Sequence, residues 1–229
     1  MLMAVLAIGQ VQANYVPNGD FQTMYKPDTG GTVTATAPDG CYWSIPGMNI
    51  KGGGPATYSD GTTGDSIETP GWVALDGTNS DCMIGDGWGG PDGSGDVAFL
   101  AFGGWGGPTT ITSAAPLSIP GTETSLKLSA DIFNDGGPVI LDLMADGVKV
   151  TPDAESSPAL VQNGWVEWTR TYNSVPAGAL TIEVGTRDEE GTGWLGNRVS
   201  IDNVTLIPEP MTMALLGLGG LGLIRRKRR

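Results

Sequence analysis

Trp88 and Trp105 each open the same tetrapeptide, Trp-Gly-Gly-Pro, and Trp194 stands in Gly-Trp-Leu-Gly ahead of the apolar stretch 199–206. Glycine neighbours bury little, so these three indoles read as loop residues. A flat indole on a loop can stack on the apolar face of a sugar, while Arg187 and Asn197 nearby hydrogen-bond its hydroxyls. The competing reading makes the tryptophans lids that plug the ends of a hydrophobic core. A second group, Asp81, Asp86, Asp92 and Asp96, is threaded with glycines, so carboxylate and backbone oxygens could converge on a hard cation. No Glu closes it in the twelve-residue calcium-loop pattern, and an ordinary solvated loop accounts for it.

Catalysis finds little support. The chain contains no histidine, which removes Ser-His-Asp and Cys-His arrangements and the usual zinc sites. Carboxylates are plentiful, but no pair has a spacing that marks a glycosidase. The glycine-rich runs precede no helix, so neither a phosphate cradle nor a dinucleotide fold is expected. The chain reads as a non-enzyme. Of its 12 basic residues five fill 225–229, leaving 7 against 25 acidic residues, a net −18. Such a charge opposes nucleic acid and anionic membrane as partners and keeps an exported protein soluble.

The elements that must position these residues are strands. High Gly (37) and Pro (16), without helical periodicity before residue 211, point to strands joined by long loops. Residues 23–66 are turn-rich and carry few apolar anchors. From Gly71 the text becomes regular. Trp72–Leu75 and Val97–Phe102 are short strand candidates. Leu126, Leu128, Ala130 and Ile132 alternate with polar residues, as do Val139, Leu141 and Leu143. Val166, Trp168 and Tyr172, then Leu180, Ile182 and Val184, keep the beat, with one step missed at Arg170. Val199–Leu206 closes the set, and Asp146-Gly147 signals a tight turn. Core packing is expected for at least two of Trp72, Trp165 and Trp168. Eight or more half-buried strands around one core predict an antiparallel β-sandwich.

The two ends of the chain read as addresses. Pro208-Glu209-Pro210 precedes the apolar run Met211–Ile224, and Arg225-Arg226-Lys227-Arg228-Arg229 follows. A breaker, an uncharged segment and a basic cluster make a membrane-stop signal with the cations cytoplasmic and the preceding body outside. Fourteen residues give about 21 Å of helix, short of the roughly 30 Å hydrocarbon core, as suits a transient anchor. A buried C-terminal helix is the alternative. At the other end Met1–Ile8 is apolar, and Val11-Gln12-Ala13 before Asn14 fits signal-peptide cleavage. Its lack of a positive first region implies a start upstream of Met1 or a truncated chain; a first core strand is the competing reading. The expected organisation is 1–13 signal peptide, 14–207 β-sandwich and 208–229 sorting signal. After export, the isolated pair Cys41 and Cys82 reads as a disulfide. Two buried thiols are the other possibility.

Motif, short apolar helix and basic end, centred on Pro208, Glu209, Pro210, Arg225 and Arg226, resemble the PEP-CTERM sorting signal of Gram-negative bacteria. The resemblance implies transient inner-membrane insertion, cleavage near the Pro-Glu-Pro by an exosortase, and release or transfer to the cell surface. Further landmarks occur in order: Asn18-Gly19-Asp20-Phe21, Pro70-Gly71-Trp72, Gly95-Asp96-Val97-Ala98-Phe99, Gly164-Trp165 with Trp168, and Ile201-Asp202-Asn203-Val204. These resemble the galactose-binding-like jelly-roll domains, among them many carbohydrate-binding modules. That likeness implies a first strand near Asn18–Gln22 lying close to the last near Ser200–Leu206. It implies that Phe21 and Ile201 point into the core. It also implies a structural Ca²⁺ beside those strands, for which Asp20, Gln22 and Asp202 are the candidates. Gln22 stands where a carboxylate is common, which weakens such a site. For Asp202 the alternative is a carboxylate bonded to neighbouring backbone at a bulge. Two functions follow as expectations: a module that binds extracellular polysaccharide, or a structural surface or matrix protein without a discrete ligand site.

Overall fold

The computed structural model describes residues 13–23, 33–35, 56–64, 70–74, 81–85, 98–103, 109–134, 138–158, 164–186 and 197–209. Among these the secondary structure is strand, with no helix. A small antiparallel sheet joins β1 (Val33–Ala35), β2 (Ala56–Tyr58) and β3 (Thr63–Gly64). A five-stranded sheet has the order β10 (Val148–Lys149), β9 (Val139–Ala145), β13 (Leu180–Thr186), β7 (Thr109–Ser113), β4 (Trp72–Ala74). A six-stranded sheet has the order β11 (Ala154–Ser156), β12 (Trp165–Tyr172), β8 (Leu126–Asn134), β14 (Asn197–Pro208), β6 (Ala98–Gly103), β5 (Asp81–Gly85). From β6 onward the chain crosses repeatedly between the two larger sheets, β6 to β7 to β8 to β9, then β12 to β13 to β14. All pairings are antiparallel. This is the jelly-roll manner of building a sandwich.

The two-residue beat locates the core. Leu126, Leu128, Ala130 and Ile132 of β8 are all buried and meet Leu141, Leu143, Ile182 and Val184 of the opposite sheet in one cluster. Alternate β8 residues, from Lys127 to Phe133, therefore line the outer face. Trp72 is in the core, and Trp168 packs against it half-buried. Trp165 has the opposite parity and pairs across to Phe133 on the outer face. The expected turn between β9 and β10 is present, with Asp146 at φ 49° and Gly147 at φ 77°, the left-handed pair that a two-residue hairpin favours.

Strand β14 binds both ends of the fold. Its first half lies between β6 and β8. Pairing with β6 stops at Ile201, and the segment 14–19 takes over that edge. Val204 donates to the Gly19 carbonyl at 2.8 Å and Tyr15 to the Leu206 carbonyl at 2.9 Å. The expected neighbourhood of the two segments is thus present, with Phe21 and Ile201 fully buried. Residues 14–22 form turns rather than a strand, because Asn18 and Phe21 both take left-handed backbone, φ 49° and 55°. The approach needs a glycine: a Cβ on Gly19 would run into the Val204 carbonyl oxygen. The Asn18 side chain ties the turn down, accepting from Thr23 N and donating to the carbonyls of Thr23 and Pro70. Trp72 Nε1 donates to the Asn18 carbonyl, and its ring tilts against Phe21 at 5.4 Å.

Candidate functional site

The loop tryptophans Trp88, Trp105 and Trp194, together with Arg187, lie outside the described residues, as do Cys41, Pro210, Arg225 and Arg226. Asn197 begins β14 opposite Gly103, and Cys82 sits in β5 opposite Ala101; of their side chains nothing is described. The acidic loop residues Asp86, Asp92 and Asp96 also fall outside. No helix among the described residues is long and apolar enough to cross a membrane. The apolar run 211–224 lies beyond them.

The described chemistry gathers on the outer face of the six-stranded sheet. A bulge in β14, between Asp202 and Thr205, sets it up. Before the bulge Val199 and Ile201 are the inward residues; after it Val204 and Leu206 are. The extra residue re-phases the alternation, and Asn203 at φ 49° makes the step. Without it, Thr205 and Ile207 would face the core. The bulge also orients Asn203, whose Nδ2 donates to Asp131 Oδ2 at 3.0 Å. Asp202, 1% exposed, accepts from Asn203 N through Oδ1 at 2.7 Å. Thr205 and Ser129 share a hydroxyl hydrogen bond at 2.8 Å. One pleat along β8 from Asp131, about 7 Å away, Phe133 meets Trp165 with centroids 5.7 Å apart at 56°. Phe133 is buried beneath, and Trp165 is half-buried. Glu167, opposite Asp131, is exposed and reaches Lys127 at 3.5 Å.

Beside this face an open cleft of about 270 Å³ is lined by Asn14, Val16, Asn18, Gly19, Asp20, Asn203, Val204 and Thr205. Asn203 and Thr205 therefore belong to both. The calcium candidates sit near here. Asp20 is exposed and accepts from Gln22 N through Oδ1 at 3.4 Å, while Gln22 Nε2 donates to the Asp20 carbonyl. Among the described residues no three Cys, Asp or Glu converge as a metal-ligand set. The arrangement offers an aromatic surface, two carboxylates, an amide and hydroxyls on one side of a sheet. It can stack against an apolar ring and exchange hydrogen bonds with polar substituents on it. The signal for this face was present in the sequence. Val166, Trp168 and Tyr172 share the core's parity, which obliges Trp165 and Glu167 to face the other way.

The missed step at Arg170 marks a second cluster. Arg170 has core parity and is buried, yet it is charged. Its guanidinium donates to the Leu141 carbonyl and to Asp142 Oδ1, and its Nε lies 3.2 Å from Glu155 Oε2. Lys149 closes on Asp142 Oδ2 at 2.9 Å. The reason lies at the edge of β9. Strand β10 covers β9 only at Met144 and Ala145, and Val150 N takes the Leu143 carbonyl. The next edge acceptor is Leu141, and Arg170 supplies its donor across the sandwich.

Residues 206–229 match the family described as the PEP-CTERM protein-sorting motif. A search of curated proteins found no match. Three solved structures are similar in shape. One is the CBM22-1 and GH10 modules of a Clostridium thermocellum endo-1,4-β-D-xylanase complexed with xylohexaose, at 14% identity and TM-score 0.44. The match covers 61% of this chain and 26% of that one, so this chain spans about a quarter of its length. The xylan-binding CBM22-1 domain from Paenibacillus barcinonensis gives 13% identity and TM-score 0.39, covering 61% of this chain and 87% of that one. The N-terminal cellulose-binding domain of a Cellulomonas fimi β-1,4-glucanase gives 17% and 0.39, covering 61% and 90%. The sorting motif marks the chain as an exported protein sorted at the membrane.

Proposed function

We propose that this is a non-catalytic, cell-surface or matrix-associated protein, processed by an exosortase-type enzyme, whose sandwich binds extracellular polysaccharide. The observation that carries the binding reading is the outer face of the six-stranded sheet. There the Trp165–Phe133 pair stands one pleat from Asp131 and Asn203, which hydrogen-bond each other. Sugars present apolar ring faces and polar rims, and this face offers a partner for each. The high negative charge of the body favours neutral glycans over acidic ones. Trp88, Trp105 and Trp194 would extend the surface from the loops.

Affinity electrophoresis through gels containing neutral polysaccharides, including the producing cell's own matrix polysaccharide, tests the reading. Wild type should be retarded by at least one of them. Trp165→Ala should weaken that retardation at least tenfold in apparent affinity, about 1.4 kcal/mol, as expected for an aromatic anchor. The same gels run with Trp88→Ala and Trp105→Ala separate a loop site from the sheet face. A chain that no polysaccharide retards would instead be a structural, acidic surface unit.

A further inference from the structure

The Pro-Glu-Pro motif does not begin beyond the fold; it begins inside it. Ile207 pairs with Lys127 and Pro208 with Leu126 as the last rungs of β14 on β8. Glu209 continues the ladder, its N donating to the Ser125 carbonyl at 3.2 Å. Its carboxylate is held as well: Thr171 Oγ1, on β12, donates to Glu209 Oε1 at 3.2 Å. Two of the motif's three residues are therefore bound to the sandwich. An enzyme that cuts a chain reads it in an extended, detached form, so a paired strand end has to open locally first.

We propose that the sandwich gates the processing of its own tail, holding Pro208 and Glu209 against β8 and β12 so that they must be peeled off before the motif can be read. This rests on the processing reading above. The structure also defines how far peeling goes. Up to Leu206 the strand is held on both sides, since Leu206 N donates to Asn14 Oδ1 and Tyr15 N to the Leu206 carbonyl. Beyond Leu206, Ile207 pairs with Lys127 and Glu209 N bonds the Ser125 carbonyl on the β8 side. Pro208 alternates away from β8, where its lack of an N–H costs the ladder nothing, so the last rungs on β8 are those of Ile207 and Glu209. Opening is confined to Ile207–Glu209, and the Thr171 hydroxyl is the side-chain latch on it.

The test is a pulse-chase of the full chain in the producing cell, following loss of the tail by intact mass. Thr171→Val keeps the shape and branching of the side chain and removes the donor. It should shorten the processing half-time about three- to tenfold, the span for loss of one hydrogen bond to a carboxylate at a partly exposed site. Thr169→Val, the same change one pleat further from Glu209, should process at the wild-type rate. A Gly-Ser-Gly-Ser insertion between Ile207 and Pro208 frees the motif entirely and should be at least as fast as Thr171→Val. If Thr171→Val is no faster than Thr169→Val, the latch is refuted whatever the insertion does. A wild-type chain that keeps its tail throughout removes the processing reading itself, and this proposal with it.

Discussion

Tyr172 sits on the core side of β12, one step from Arg170 in the inward row. Burial pushes its hydroxyl up to about 12, with the Arg170 charge pulling the other way. An unfolded tyrosine titrates near 10, so between roughly pH 10 and 12 the folded chain keeps a proton that the unfolded chain releases. This stability is fully present below pH 10 and is lost as pH rises through 12. Two units correspond to at most roughly 3 kcal/mol. Tyr172→Phe should flatten that part of a pH–stability curve measured by urea unfolding. Near pH 7 it should hold stability within about 1 kcal/mol or raise it, because the buried hydroxyl makes no well-formed hydrogen bond, the Leu143 backbone being its polar neighbour. A mutant curve that still falls as steeply from pH 10 to 12 would remove Tyr172 as the cause. The same scale explains why Asn-Gly-x-Phe was a readable motif. Asn18 cross-links the turn, Gly19 lets the backbones touch, and Phe21 fills the core, so each residue type has its own physical reason to be there.

At the scale of elements, β9 and β14 show what a two-residue beat conveys and what it does not. The beat placed the core residues of β8, β12 and β13, because a sheet buried on one face admits only one parity. It could not place the bulge in β14, where Val199-Ser200-Ile201 and Val204-Thr205-Leu206 each alternate correctly and only the phase between them changes. It registered Arg170 as an irregularity without showing that the residue closes a bare edge of the facing sheet. Glycine neighbours single out the loop tryptophans Trp88, Trp105 and Trp194, whereas the described aromatic face is built on strands. Trp165 was hidden from that reading because it lies one residue from core positions. The edge argument has a measurable consequence. Arg170→Met should cost about 3–5 kcal/mol in urea unfolding, since it leaves Asp142 buried with Lys149 alone and the Leu141 carbonyl without a donor. An Arg170→Met chain within 1 kcal/mol of wild type would show that Arg170 is incidental to the edge.

For the molecule as a whole, the chain's path through β14 fixes where a cut can fall. The segment at Asn14–Tyr15 and the strand end at Leu206–Glu209 lie side by side, so the sandwich is entered and left at one end. A body tethered through its tail would hang from that end, with the chain at Asn14 held beside it. Val204 and Leu206 are completely buried. Burying two such side chains is worth about 3–6 kcal/mol. The backbone bonds from Val204 to Gly19 and from Tyr15 to Leu206 also hold the turn that carries Phe21. Small domains have only about 5–15 kcal/mol in total. A chain ending at Glu209 keeps all of β14 and should keep a cooperative melting transition, and processing must fall after Leu206 if the product is to stay folded. A chain ending at Asp202 should lose its cooperative melting transition. Differential scanning calorimetry on the two truncations decides the point. A cooperative transition in the shorter chain would mean that the sandwich closes without the second half of β14, and that a cut upstream of the motif is tolerated.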